Sequence, residues 1–365
     1  MQAVLQDLRF AWRQLRTSPG FAAVAVLSLA LGIGATTAVF SVIYAVLVNP
    51  YPYANADRMV HLVIRDPGDN RNWVTVTGPQ LQQLRQASVV ESAGGMDQWN
   101  LTITGGDLPE DVNAIYFTGN VFNHFGVPML YGRAILPADA PEGQDPQPVA
   151  VLGYQFWQRH YNGDRSIVGK TIQLTHKTYL VIGIAPPRFT WGDGDVYVPW
   201  KFTTDPARAV MPVIKLKAGV TRATANSEFQ TLLQQFQKET PKHFPEHFKV
   251  ALEGFNDQFL ERLGGALHLL FGAVLLLLLI GCGNVSILLL ARGTARKHEM
   301  AVRSAIGAGR SRIILQLLTE ALLLSFAGTL LGVLLGYKLL GLIVNWLPAF
   351  SFPHEAAIKM NLPVL

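Results

Sequence analysis

Three long apolar stretches constrain this chain more than anything else in it. Residues 21–48 contain no charge, residues 264–290 carry only His268 as a titratable group, and residues 317–347 carry only Glu320 and Lys338. Each is longer than the ~20 residues that cross the hydrocarbon core of a bilayer, and longer than the ~8–20 residues of ordinary globular helices. They are read as three membrane spans. The composition agrees: half of the 365 residues are hydrophobic and only 15% are charged, too apolar for a soluble protein of this size.

The first stretch follows Arg9, Arg13 and Arg16, as a secretory leader would. Its apolar core is roughly twice the ~7–15 residues of a leader, and Asn49-Pro50-Tyr51-Pro52 follows it rather than a small-residue cleavage site. A permanent anchor is expected. Lysine and arginine collect on cytoplasmic flanks. Residues 1–20 are net +2, residues 291–316 net +5, and residues 49–262 net −2. The N-terminus and the 291–316 connector are therefore expected inside and the large domain outside. The whole-chain charge of +5 resides in these flanks, so the basic balance does not indicate nucleic-acid binding. Cys282 is the single cysteine, which rules out an internal disulfide; beside Gly281 and Gly283 it reads as a small packing residue.

The organisation expected is a cytoplasmic amphipathic segment (1–20), a first span (21–48), an external domain (49–262), a second span (264–290), a cytoplasmic loop or helix (291–316), a third span (317–347) and an external tail (348–365). The last residues, NLPVL, read as the start of another apolar segment, so a fourth span is expected beyond them and the chain is expected to be incomplete. The external domain shows short strand signals at 59–64, 101–103, 149–152, 171–174, 179–184, 196–198 and 213–216, bounded by residues that supply turns. Helical signals fall at 80–86 and 154–160, and residues 221–239 are amphipathic through Ala225, Phe229, Leu232, Leu233 and Phe236. An α+β domain results, with two lobes parting near 75–120.

Two motifs have spacings that bear on chemistry. Gly163 to Thr171 has five residues between its glycines where a phosphate-binding loop needs four, and it follows no buried strand, so a turn before a strand is expected. His243-Phe-Pro-Glu246-His247 matches an H-x-x-E-H spacing, whose ligands must share a helical face that Pro245 would break; a solvated loop is expected. No catalytic, cofactor or metal residue is assigned, and the chain is not read as an enzyme. With no nucleotide-binding motif in these residues, energy for any driven work would come from another chain.

The spans carry packing signals instead. Gly328, Gly332 and Gly336 repeat every four residues, and Ser28, Gly32 and Thr36 form a similar small face, allowing close helix approach. Glu320, one turn into the third span, needs the interface or a partner, with Arg312 or Arg296 at hand; Lys338 reaches headgroups at the outer face. In the connector, residues 295–306 favour a helix ended by Gly307-Ala-Gly309, either a solvated loop or a docking helix for a cytoplasmic partner.

The stretch GNVSILLLARGTARKHEMAVRSAIGAGRSRIILQLLTEALLLS resembles the FtsX-like core of MacB-type ABC-transporter permeases. The opening LRFAWRQLRTSPGFAAVAVLSLALGIGATTAVFSVIYAVLVNPYPYANADRMV looks like the first span of the acidobacterial-type duplicated orphan permeases. The segments YFTGNVFNHFGVPMLYGRAI, VAVLGYQFWQRHYNGDRSIVGKTIQL, YLVIGIAPPRF and GDVYVPW resemble the MacB periplasmic core domain.

The resemblance implies an inner-membrane permease with four spans per unit and a periplasmic α+β domain between spans one and two. It implies partnership with a cytoplasmic ABC ATPase and with a second permease half or a homodimer partner, in contact with membrane lipids, and a periplasmic adaptor or hydrolase as a further partner class. By position, Arg292, Arg296, Lys297, Glu299, Arg303, Gly307 and Gly309 would form the ATPase-coupling element. The function expected is export or mechanotransmission; the alternative is an envelope regulator that activates a periplasmic partner such as a cell-wall hydrolase. Deleting an exporter would cause its substrate to accumulate, whereas deleting a regulator would alter envelope morphology without accumulation.

Overall fold

Where the chain is uncharged it forms long helices. Helix α1 (Pro19–Ile43) has proline in its first turn, where a missing N–H forfeits no hydrogen bond, and runs on through a π-helical turn at Tyr44–Val48. This computed structural model describes residues 13, 16–68, 71–104, 109–257, 260–305, 309–346, 355–356 and 358–360. It comprises two units: Met1–Asn49 with Arg262–Phe352 and Ala357–Leu365, and Pro50–Glu261 with Pro353–Ala356.

The first unit is helical. Among the described residues, three helices are long and apolar enough to cross a membrane, over Pro19–Val48, Gly265–Ala295 and Ile314–Val344. Their apolar residues face all directions, so Leu269, Leu276, Leu290 and Phe326 stand mostly exposed, a surface suited to lipid rather than water. Helix α1 is the middle one and packs along both of the others.

The second unit is built on one eleven-stranded sheet with helices against it. Its strands are β1 (Met59–Arg65), β2 (Arg71–Trp73), β3 (Val90–Thr104), β4 (Glu110–Phe117), β5 (Tyr131–Gly132), β6 (Val149–Leu152), β7 (Thr171–Leu174), β8 (Lys177–Ile184), β9 (Val196–Pro199), β10 (Met211–Leu216) and β11 (Lys249–Gly254). The order is β11-β1-β10-β3-β4-β9-β6-β8-β5, with β2 on β1 and β7 between β3 and β8. Pairs β4–β9 and β6–β8 are parallel and the other named pairs antiparallel. The helices are α2 (Gly78–Gln86), α3 (Val121–Phe125), α4 (Tyr154–Tyr161) and α5 (Arg222–Glu239). Three apolar clusters fill the unit. In one, Ala225, Phe229, Leu233 and Phe236 of α5 meet Leu62, Ile64, Val250 and Leu252 of β1 and β11. Thr221 caps α5 by accepting a hydrogen bond from the Thr224 amide at 3.2 Å.

This mixed sheet between the first and second spans is the α+β class expected. The break near 75–120 is not: β3 runs through that region and pairs with β10 at one end and β4 at the other. Gly94 and Gly95 hide this strand from pattern reading. A methyl group at either would collide with Val121 or Val210, so the strand lacks side chains where its neighbours press on it. In the former phosphate-loop candidate, Asp164 accepts from the Ser166 amide at 2.8 Å and the chain turns into β7. His243 and His247 are exposed on either side of buried Phe244. Among the described residues, no group of three or more His, Cys, Asp or Glu gathers closely enough to hold a metal.

Candidate functional site: the connector joint and the helix interfaces

The basic connector begins at a hydrogen-bonded joint. Helix α6 (Gly265–Ala295) ends at Arg296, and α7 (Lys297–Ala305) follows directly. Arg292 lies in the last turn of α6, where cations offset the partial negative charge of unpaired carbonyls. Its guanidinium stacks over the Phe21 ring at 4.6 Å and donates to Ser18 Oγ at 3.1 Å, tying the end of α6 to the start of α1. One turn on, Arg296 Nη1 donates to Glu320 Oε1 at 3.1 Å and Oε2 at 3.2 Å. Glu320 belongs to α8 (Arg310–Trp346). The two side chains are only 11% and 4% exposed, so the pair is desolvated and each charge depends on the other.

Of the two partners the sequence offers Glu320, the structure brings up Arg296, and the carboxylate is buried rather than reaching for solvent. Lys297 is exposed at the start of α7. Glu299 and Arg303 lie within α7. Gly309 is exposed just before α8, and Gly307 lies outside the described residues. Lys338 is exposed on α8.

The small residues of the spans meet in a specific pattern. The Ser28, Gly32, Thr36 face of α1 turns to α6: a methyl on Gly32 would sit 3.1 Å from Leu278 Cα, and one on Gly281 would sit 3.0 Å from the Ser28 carbonyl. Thr36 Oγ1 donates to the Gly32 carbonyl at 2.8 Å and lies 3.4 Å from the Val274 carbonyl across the interface. The Gly328, Gly332, Gly336 face of α8 meets a different side of α1. Gly328 lies against Leu29, Gly332 against Ile33 and the Ala30 carbonyl, and Gly336 against the Gly34 carbonyl. Gly34 and Gly281 are thus contact residues outside the two stripes named from the sequence. Cys282 is exposed, and the packing role expected of it falls to its buried neighbour Gly281.

A bundle of apolar helices with close glycine contacts, opened after its first span by a mixed-sheet domain and carrying a charged joint between its second and third, is the build of a membrane permease with a large insertion. The profile of the MacB-like periplasmic core domain matches residues 22–232, and that of the FtsX-like permease C-terminal region matches residues 271–365. The chain belongs to this MacB/FtsX family of ABC-transporter permeases. The macrolide export ATP-binding/permease protein MacB of Rhodospirillum rubrum is 34% identical over 57% of this chain and 32% of its own length. The protein of the same name from Neisseria gonorrhoeae is 28% identical over 73% of this chain and 42% of its own length. The chain therefore spans less than half the length of these relatives. The periplasmic region of MacB from Actinobacillus actinomycetemcomitans superposes with a TM-score of 0.44 and 13% identity over 61% of this chain and 95% of that one, a likeness too loose to bear weight.

Proposed function

We propose that this chain is the permease subunit of an export system in the bacterial inner membrane, driven by ATP hydrolysis on a separate ATPase subunit. In this reading the N-terminus and α7 face the cytoplasm, the sheet domain faces the periplasm, and two permease halves work as a pair. The opening segment suggests membership of the duplicated orphan permeases within the family. The observation that carries the reading is the Arg296–Glu320 pair. It anchors the start of α7 to α8 while α7 continues from α6, so a partner pressing on α7 moves both helices together. Arg292, bonded to Ser18, brings in α1.

Glu299 and Arg303 on the body of α7 are assigned to ATPase contact, with Lys297 at its start and Gly307 and Gly309 allowing the return to α8. The glycine faces hold α1 close against both of its neighbours. The test is co-purification of the full-length protein with candidate ATPases, repeated with Glu299→Ala and Arg303→Ala together. Loss of binding and of ATPase stimulation in that double variant is expected. Unchanged binding and stimulation would remove α7 from the coupling path and the proposal with it.

A further inference from the structure

Among the described residues, the stretches after the first span, before the second and after the third meet at one aromatic cluster. Pro50 to Tyr53 leave the first span, Phe255 precedes the second, and Glu355 follows the third. Tyr53 is 5% exposed, with its ring centroid 4.6 Å from Phe125, 5.8 Å from Trp191 and 6.1 Å from Phe255. Tyr51 stacks on Tyr53 at 5.5 Å and donates its hydroxyl to the Phe255 carbonyl at 2.9 Å, which binds the first and second connections together.

The third connection is held differently, by buried polar groups. Glu355 is 7% exposed, an unfavourable place for a carboxylate unless donors are supplied. Tyr53 donates its hydroxyl to Glu355 Oε1 at 2.8 Å. Burial, and then the Glu355 charge, push the Tyr53 hydroxyl well above its ordinary range, so it keeps its proton and remains a donor. Arg188, in the loop after β8, donates Nε to the Glu355 backbone carbonyl at 3.1 Å and Nη2 to the Pro50 carbonyl at 3.4 Å. One guanidinium therefore grips the backbone of both the first and the third connections.

We propose that Arg188, Tyr53 and Glu355 form a latch fastening the segment after the third span into the sheet domain, so that displacement of that span is delivered to the domain together with displacement of the first. The residues act by positioning and touch no substrate. The transmitting role rests on the permease reading above; the latch itself does not. Because Tyr53 is 302 residues from Glu355 in sequence, the contact closes a loop that contains most of the chain.

The experiment uses the full chain in lipid nanodiscs and hydrogen exchange read by mass spectrometry. Tyr53→Phe keeps the ring in its cluster and removes the donor, while Arg188→Gln removes the grip on both carbonyls. Each is expected to raise exchange in peptides covering residues 50–55 and 353–358 by about tenfold, the population change carried by losing one hydrogen bond to a charged group. Strands β6, β8 and β9 should exchange as in the wild type. Wild-type exchange at residues 353–358 in both variants overturns the latch. Faster exchange there, combined with wild-type ATP-driven distance changes between spin-labelled sheet domains, overturns its transmitting role. If the wild-type chain neither binds nor stimulates any ATPase, the permease reading fails by itself, and the exchange result still decides the latch.

Discussion

Removing Arg296 should destabilise the helical unit far more than removing Arg296 and Glu320 together. At 3.1 Å and an effective dielectric of about 20, the gross attraction of the pair is about 5 kcal/mol. Taking both charges out of solvent offsets most of that, so exchanging the pair for apolar side chains of similar volume is expected to be nearly neutral. Arg296→Met alone leaves Glu320, 4% exposed, as an uncompensated carboxylate, at a cost of about 3–5 kcal/mol. Glu320→Leu alone strands Arg296 one turn from Arg292 at a comparable cost. The assay is a double-mutant cycle by denaturing-detergent titration in mixed micelles, following helix content. With each single variant costing about 3–5 kcal/mol and the double variant nearly neutral, a coupling of about 6 kcal/mol or more is expected, above the ~0.5–3 kcal/mol usual for residues in contact. Below about 0.5 kcal/mol, the pair would be independent and its role as the joint between α6 and α8 would fall.

Two further predictions concern packing and pH. Gly34→Ala places a methyl 2.9 Å from the Gly332 carbonyl, a backbone atom that cannot step aside, whereas Gly283 has open space around it. Gly34→Ala should therefore lower the unfolding midpoint in the same detergent titration, while Gly283→Ala should raise stability by up to about 1 kcal/mol through helix propensity; equal effects would contradict the interface. In the sheet domain, burial and then the Arg71 charge push His61 down to about 3, and burial and then the Lys215 charge push His124 down to about 4, from an ordinary value near 6.5. Both are neutral when folded, and the unfolded chain takes up protons first, so their contribution is complete above about pH 6.5 and is lost as pH falls toward 4. Tryptophan-monitored unfolding should lose up to about 1.4 kcal/mol per pH unit per histidine between pH 6.5 and 5. The paired substitutions His61→Phe and His124→Gln should flatten that slope, and an unchanged slope would rule these two groups out as its source.

What was legible in the sequence was whatever repeats locally. The spans appear in uncharged length, α5 in its apolar period, and β6 and β7 in short apolar runs closed by turn residues. What was not legible depends on a partner. In the 90–117 region only 101–103 signals a strand, and the first half of β3 was hidden because Gly94 and Gly95, pressed by Val121 and Val210, break the alternation that identifies strands. Glu320 announced its need for a cation, but the sequence put both Arg296 and Arg312 at hand, and it is the folded contact at 3.1 Å that identifies Arg296 as a partner. Glu355 gave no signal at all, since its donors lie 167 and 302 residues away.

The glycines of α1 show why a search for a single small-residue stripe misses half of a bundle's contacts. At about 100° per residue, Gly32 and Gly34 point some 200° apart on the helix. The Ser28, Gly32, Thr36 stripe leaves out Gly34, which shares a second four-residue stripe with Ala30 and Ala38, and Gly34 is the position that meets Gly332 and Gly336 of α8. A middle helix needs close-approach surfaces on two sides, so its sequence must superimpose two offset small-residue patterns, here in GIGATT. At both interfaces large side chains seat on the glycines, Leu278 on Gly32 and Leu29 and Ile33 on Gly328 and Gly332, so the helices are held in close register. The polar fixed points, Arg292 on Ser18 and Arg296 on Glu320, lie at one end of these interfaces. In the proposed mechanism, force enters at that pinned end, and the glycine surfaces determine how far along the helices it is carried.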